Sequence, residues 1–103
     1  MPDFLEAIPL ARLRAGRGMV VRVAGRDVAL FNIGGNIYAI GDACAHAGMS
    51  LGSVKLRGNI VTCPGHGFRY DVTTGHCVSI SGLRVTAYPV SIVDGKIMVS
   101  VTN

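Results

Sequence analysis

Apolar and polar residues change places over short stretches along most of this chain, a period near two that predicts β-strands. Met19 to Val23 and Asp27 to Ile33 are apolar or alternating runs rich in β-branched residues. Gly34-Gly35-Asn36 follows as a turn, because glycine and asparagine tolerate positive φ, and Ile37 to Ile40 returns as the partner strand. Asn59 to Thr62 and Phe68 to Val72 read as two further short strands, the second closed by Thr74-Gly75. The clearest hairpin is the last: Val85 to Val93 runs into Asp94-Gly95, and Lys96 to Val101 comes back. Pro89 lacks an N–H, so its strand is expected at a sheet edge or with that side unpaired. Only Leu5 to Leu13 has a helical flavour, and Pro9 holds it to a turn or two.

Strands at this spacing predict an all-β fold, an antiparallel sandwich or small barrel. The segment from Cys44 to about Tyr70 interrupts the frame with two loops joined by a short strand. The expected organisation is a single domain over 1–103: a β frame at 1–42 and 71–103 carrying a small inserted subdomain at 43–70.

Composition narrows the class without changing it. Half the residues are apolar and 16% are charged, which excludes disorder. Fourteen glycines and no tryptophan suit a loop-rich β fold. No window reaches membrane-span length, and the N-terminal stretch, with Asp3, Glu6 and two prolines, is unlike a signal peptide. A soluble protein of the cytoplasm is expected, in which three cysteines serve as ligands or thiols rather than as a disulfide framework. The formal charge of +4 comes from arginines and lysines spread along the chain, with no dense patch or interleaved aromatics. That distribution argues against nucleic acid and leaves room for an acidic protein partner.

The candidate chemistry sits in two mixed pairs, Cys44-Ala-His46 and Cys63-Pro-Gly-His66, with sixteen residues between them. Two thiolates and two imidazoles suit a tetrahedral zinc, or a [2Fe–2S] cluster with cysteines on one iron and histidines on the other. Structural zinc sites commonly pair like ligands two to four residues apart, whereas each pair here is mixed. The one-residue gap between Cys44 and His46 is tight on one ion and comfortable across two. Gly48, Gly65 and Gly67 would let backbone N–H groups approach anionic sulfide without a Cβ in the way. His76-Cys77 follows Thr74-Gly75 and is read as structural, while Asp42 and Asp71 are read as turn caps rather than catalysts.

Cys44-x-His46, sixteen residues, then Cys63-Pro-Gly-His66-Gly67 resembles the Rieske [2Fe–2S] signature. The resemblance covers essentially the whole chain and implies a Rieske-type antiparallel β-sandwich with an inserted cluster-binding subdomain. It implies that Cys44 and Cys63 bind one iron and that His46 and His66 bind the other. The overall form is similar to the ferredoxins of bacterial ring-hydroxylating dioxygenase systems, which serve the catabolism of aromatic compounds. A one-electron carrier is then expected, with no catalytic residue of its own. It would receive electrons from a flavin-dependent NAD(P)H reductase and pass them to a terminal oxygenase, transiently, through an exposed His46/His66 tip, as a monomer.

Some neighbours depart from high-potential relatives. Met49 and Gly65 stand where those relatives carry a disulfide, and Phe68 stands where a serine bonds sulfide, while Tyr70 matches a tyrosine that bonds a cysteine sulfur. Hydrogen bonds to sulfur stabilise the reduced cluster, so losing one lowers the potential. The expectation is the low end of a range of roughly −150 to +300 mV. Two rivals stay open: the small subunit of an assimilatory nitrite reductase, which shares the fold and often lacks the ligands, and a zinc-binding interaction module.

Overall fold

A computed structural model describes residues 3–45, 48–65 and 67–101. Ten strands form three antiparallel sheets. In chain order they are β1 (Leu5–Pro9), β2 (Gly18–Val23), β3 (Arg26–Ile33), β4 (Asn36–Gly41), β5 (Leu56–Arg57), β6 (Ile60–Thr62), β7 (Arg69–Asp71), β8 (Ala87–Tyr88), β9 (Val90–Val93) and β10 (Lys96–Val99). The sheet orders are β1-β10-β9, β2-β3-β4-β8 and β5-β6-β7.

Strand β3 explains the layering. Five consecutive residues, Val28 to Asn32, are buried, so this strand is covered on both faces. Val28 and Leu30 pack with Leu13, Ala39, Ile97 and Val99, which joins the four-stranded sheet to β1-β10-β9 as a sandwich. Ala29 and Phe31 point the other way, into a second apolar cluster with Ile40, Leu51, Val61 and Tyr70. The small β5-β6-β7 sheet and the two cysteine loops are built on that second face.

Turn chemistry sets the hairpins. Gly34 and Gly35 both have positive φ between β3 and β4, and Asp94-Gly95 likewise joins β9 to β10. Asn32 secures the first of these turns: its Oδ1 accepts from the Gly35 N–H at 2.9 Å and its Nδ2 donates to the Leu13 carbonyl at 2.9 Å.

Two expectations need correction. Leu5–Pro9 is a strand, not a helical segment; it pairs with β10 through Leu5↔Val99 and Ile8↔Ile97, across a bulge. Ladder pairing with β10 outweighs local periodicity, and the helical character survives only as the 3-10 turn Leu10–Arg12 after Pro9. The tail run is also not one strand. Pro89 divides it into β8, at the edge of the four-stranded sheet, and β9, at the edge of the other sheet of the sandwich.

Candidate metal centre

Two loops project the cysteines, and their backbones close in the same way. The Cys44 N–H donates to the Met49 carbonyl at 2.8 Å, and the Gly48 N–H donates to the Cys44 carbonyl at 2.8 Å. In the second loop the Cys63 N–H donates to the Phe68 carbonyl at 2.7 Å, and the Gly67 N–H donates to the Cys63 carbonyl at 3.0 Å. Each ring therefore needs a left-handed residue four positions after its cysteine. Gly48 (φ 71) and Gly67 (φ 74) supply it, a conformation that side chains with a Cβ disfavour.

Both cysteines are buried, Cys44 at 3% and Cys63 at 1% exposure, within the same apolar cluster. The loop tips beside them are open: Ala45, Gly48, Met49, Pro64, Gly65 and Gly67 are exposed. Phe68 packs its ring against the cluster. His46 and His66, the other two candidate ligands, lie outside the described residues, as does Ala47. Among the described residues no group of three or more metal-binding side chains comes together.

Tyr70 sits beneath the first loop at 0% exposure, with its hydroxyl 3.2 Å from Cys44 Sγ. Burial first, and then the neighbouring Cys44 thiol, pushes the phenol well above its ordinary pKa. The hydroxyl therefore stays protonated and is placed to donate to a thiolate at Cys44.

Asp42 anchors the base of the first loop. Its buried carboxylate accepts from the Gly52 N–H at 2.7 Å and from Ser50 Oγ at 2.9 Å, tying the loop's entry to its exit. Asp71 closes the turn after β7, accepting from the Thr73 N–H at 2.9 Å. Both carboxylates thus accept from a backbone N–H, Asp71 within its own turn and Asp42 across ten residues. Cys77 is buried in the cluster opposite Tyr70, and its neighbour His76 is exposed, its backbone in an isolated antiparallel β-bridge with that of Arg84. The Asp42–Gly52 link was not anticipated, nor was Ser79, whose hydroxyl accepts from the Arg69 N–H at 3.0 Å.

The Rieske [2Fe-2S] domain profile matches residues 4–89. The chain belongs to the Rieske family. A Rieske relative, the ferredoxin component of the naphthalene 1,2-dioxygenase system from Pseudomonas putida, is 31% identical over 101 residues, covering 96% of each chain. Among solved Rieske structures, the ferredoxin of carbazole 1,9a-dioxygenase from Nocardioides aromaticivorans IC177 superposes with a TM-score of 0.88 at 29% identity, covering 95% of this chain and 97% of that one. A putative NADH-dependent nitrite reductase small subunit from Mycobacterium tuberculosis also superposes, at 0.88 and 24% identity over 100% of this chain and 98% of that one, a likeness of fold alone. The chain is thus a Rieske ferredoxin-type electron carrier, homologous to components named as ferredoxins rather than as oxygenases. Among its described residues no helix is long and apolar enough to cross a membrane.

Proposed function

We propose that this chain carries single electrons from a flavin-dependent NAD(P)H reductase to a terminal ring-hydroxylating oxygenase. Cys44 and Cys63 would hold one iron of a [2Fe–2S] cluster, and His46 and His66 the other. The reading rests on one observation: two buried cysteines occupy the same position in two identically closed loops, within one apolar cluster. Soft thiolate donors in a dry setting fit iron, and the open loop tips fit an electron exit towards a partner. The mixed Cys/His donor set also fits the charge: two ferric ions, two sulfides and two thiolates sum to zero, whereas four thiolates would leave −2.

A bound cluster of this kind supplies one reversibly held electron. The chain's own residues would tune and shelter it. Tyr70 would donate a hydrogen bond to the Cys44 sulfur, Gly48 and Gly67 let the loop backbones close, and Gly65 would leave room for a backbone N–H to approach sulfide. Phe68 brings an apolar ring and no hydroxyl to the second loop, which removes a donor that would favour the reduced state. A potential at the low end of the roughly −150 to +300 mV Rieske span follows. We further take 43–70 as the cluster-binding insert on a frame of 1–42 and 71–103, and the protein as a cytoplasmic monomer with transient partners.

The test uses the purified holoprotein. Anaerobic NADH plus the reductase of a naphthalene-type dioxygenase system should reduce it. The reduced protein should then support product formation by the matching oxygenase. A cluster-loaded protein that neither accepts nor delivers electrons contradicts the carrier role.

A further inference from the structure

Four of the basic residues that look scattered along the chain line two grooves, one at the entry of the first cysteine loop and one beside the segment that follows its exit. On its entry side a groove runs between Arg26, at the start of β3, and Arg84, with Gly41, Ala43, Ala45 and Tyr88 between them. On its exit side a second groove carries Arg17 and Lys55, beside Gly18 and Ser53. All four cations are exposed, and none forms an ion pair among the described residues; the pairs present are Arg22–Asp27 and Lys96–Glu6. Two carboxylates border the entry groove, and both are engaged elsewhere. Asp27 faces Arg22 at 3.3 Å, and Asp42 turns inward to the Gly52 N–H and Ser50. Met49, 42% exposed, stands on the loop itself.

We propose that the two grooves form one docking surface for the acidic face of an electron-transfer partner protein, which straddles the first cysteine loop. The proposal rests on the electron-carrier reading and adds the charge and placement of its partner's surface. An exposed apolar residue on the loop, Met49, together with cations in the grooves at the loop's entry and exit, suits a transient interface. Opposite charge across such a face raises the encounter rate more than the affinity, which suits a complex that forms and parts with each electron. The overall balance, ten lysines and arginines against six acids, points the same way. Residues 17, 26, 55 and 84 are too far apart in the chain to read as a patch, and only the fold pairs 17 with 55 and 26 with 84.

The test reads the local field with small redox ions. The dithionite-reduced holoprotein gives one electron to ferricyanide, yielding ferrocyanide, or to the cationic tris(phenanthroline)cobalt(III), in stopped flow at several ionic strengths. The variants are Arg26→Glu with Arg84→Glu, Arg17→Glu with Lys55→Glu, and a control, Arg12→Glu with Arg14→Glu, of equal charge change. Attraction to the grooves makes the ferricyanide rate fall with salt, and either groove pair slows it about five-fold or more at low salt. The same pairs speed the cobalt reaction, and the control moves either rate less than about two-fold. A decaglutamate peptide slows the ferricyanide reaction of the unmodified protein but not that of the groove variants. Equal slowing by the control, or rates indifferent to both groove pairs, overturns the docking surface. Each groove has its own pair, so either one decides if the other assembles poorly. The EPR signal of the reduced protein is recorded first and reports on the carrier reading separately.

Discussion

Replacing Tyr70 by phenylalanine removes one hydroxyl and leaves the ring that fills the core. The hydroxyl lies 3.2 Å from Cys44 Sγ, in a position with 0% exposure, so no water takes over its bond. A hydrogen bond to a charged acceptor is worth about 1.5–3 kcal/mol. Only the difference between oxidation states moves a potential, and the reduced cluster, one charge more negative, draws the proton harder. Taking that difference as about 1 kcal/mol, and a tenfold change in equilibrium constant as 59 mV for one electron, Tyr70→Phe should lower the potential by about 40 mV. A potentiometric titration followed by EPR or visible circular dichroism measures this, with iron and sulfide content as the control for an intact cluster. An unchanged potential, or a rise, with full iron content would refute the hydrogen bond's role.

The same phenol gives a pH dependence. Its folded-state pKa is raised above the ordinary 10.0, so above about pH 10 the unfolded chain has lost a proton that the folded chain keeps. Tyr70's contribution is therefore complete below that pH and shrinks as the pH rises further; chemical denaturation should show a shallower alkaline loss in Tyr70→Phe, and equal slopes would contradict the assignment. Gly75→Ala should cost more than about 2 kcal/mol in a thermal melt, since its φ is +84 and an added Cβ would meet the Val85 carbonyl oxygen. An unchanged midpoint would mean that the segment at Val85 moves aside freely. Cys77→Ala should cost about 1 kcal/mol for its buried sulfur yet leave iron content and the visible spectrum intact; loss of iron would make Cys77 a ligand.

The strands were legible where turn residues bracketed alternating runs, as at Gly34-Gly35 and Asp94-Gly95. β1 was not, because Leu5 and Ile8 lie three apart, as on a helix, and only pairing with β10 makes the segment a strand. Nor could Pro89 be recognised as a crossing point between sheets, since that depends on where β4 and β10 lie. In the site, a glycine four residues after each cysteine is a signal present in the sequence, and it marks both loop closures. The Asp42–Gly52 link and the two basic grooves had no such mark. They join residues brought together by tertiary packing, which short-range spacing does not encode.

The proposed [2Fe–2S] cluster would be held by Cys44, Cys63, His46 and His66. Pulsed EPR on the dithionite-reduced protein, with and without ¹⁵N-labelled histidine, tests it most directly. The expected result is a Rieske-type signal with two strongly coupled histidine nitrogens, one lost in His46→Cys and the other in His66→Cys. A colourless protein with one equivalent of zinc, or a cluster signal free of nitrogen coupling, would contradict it.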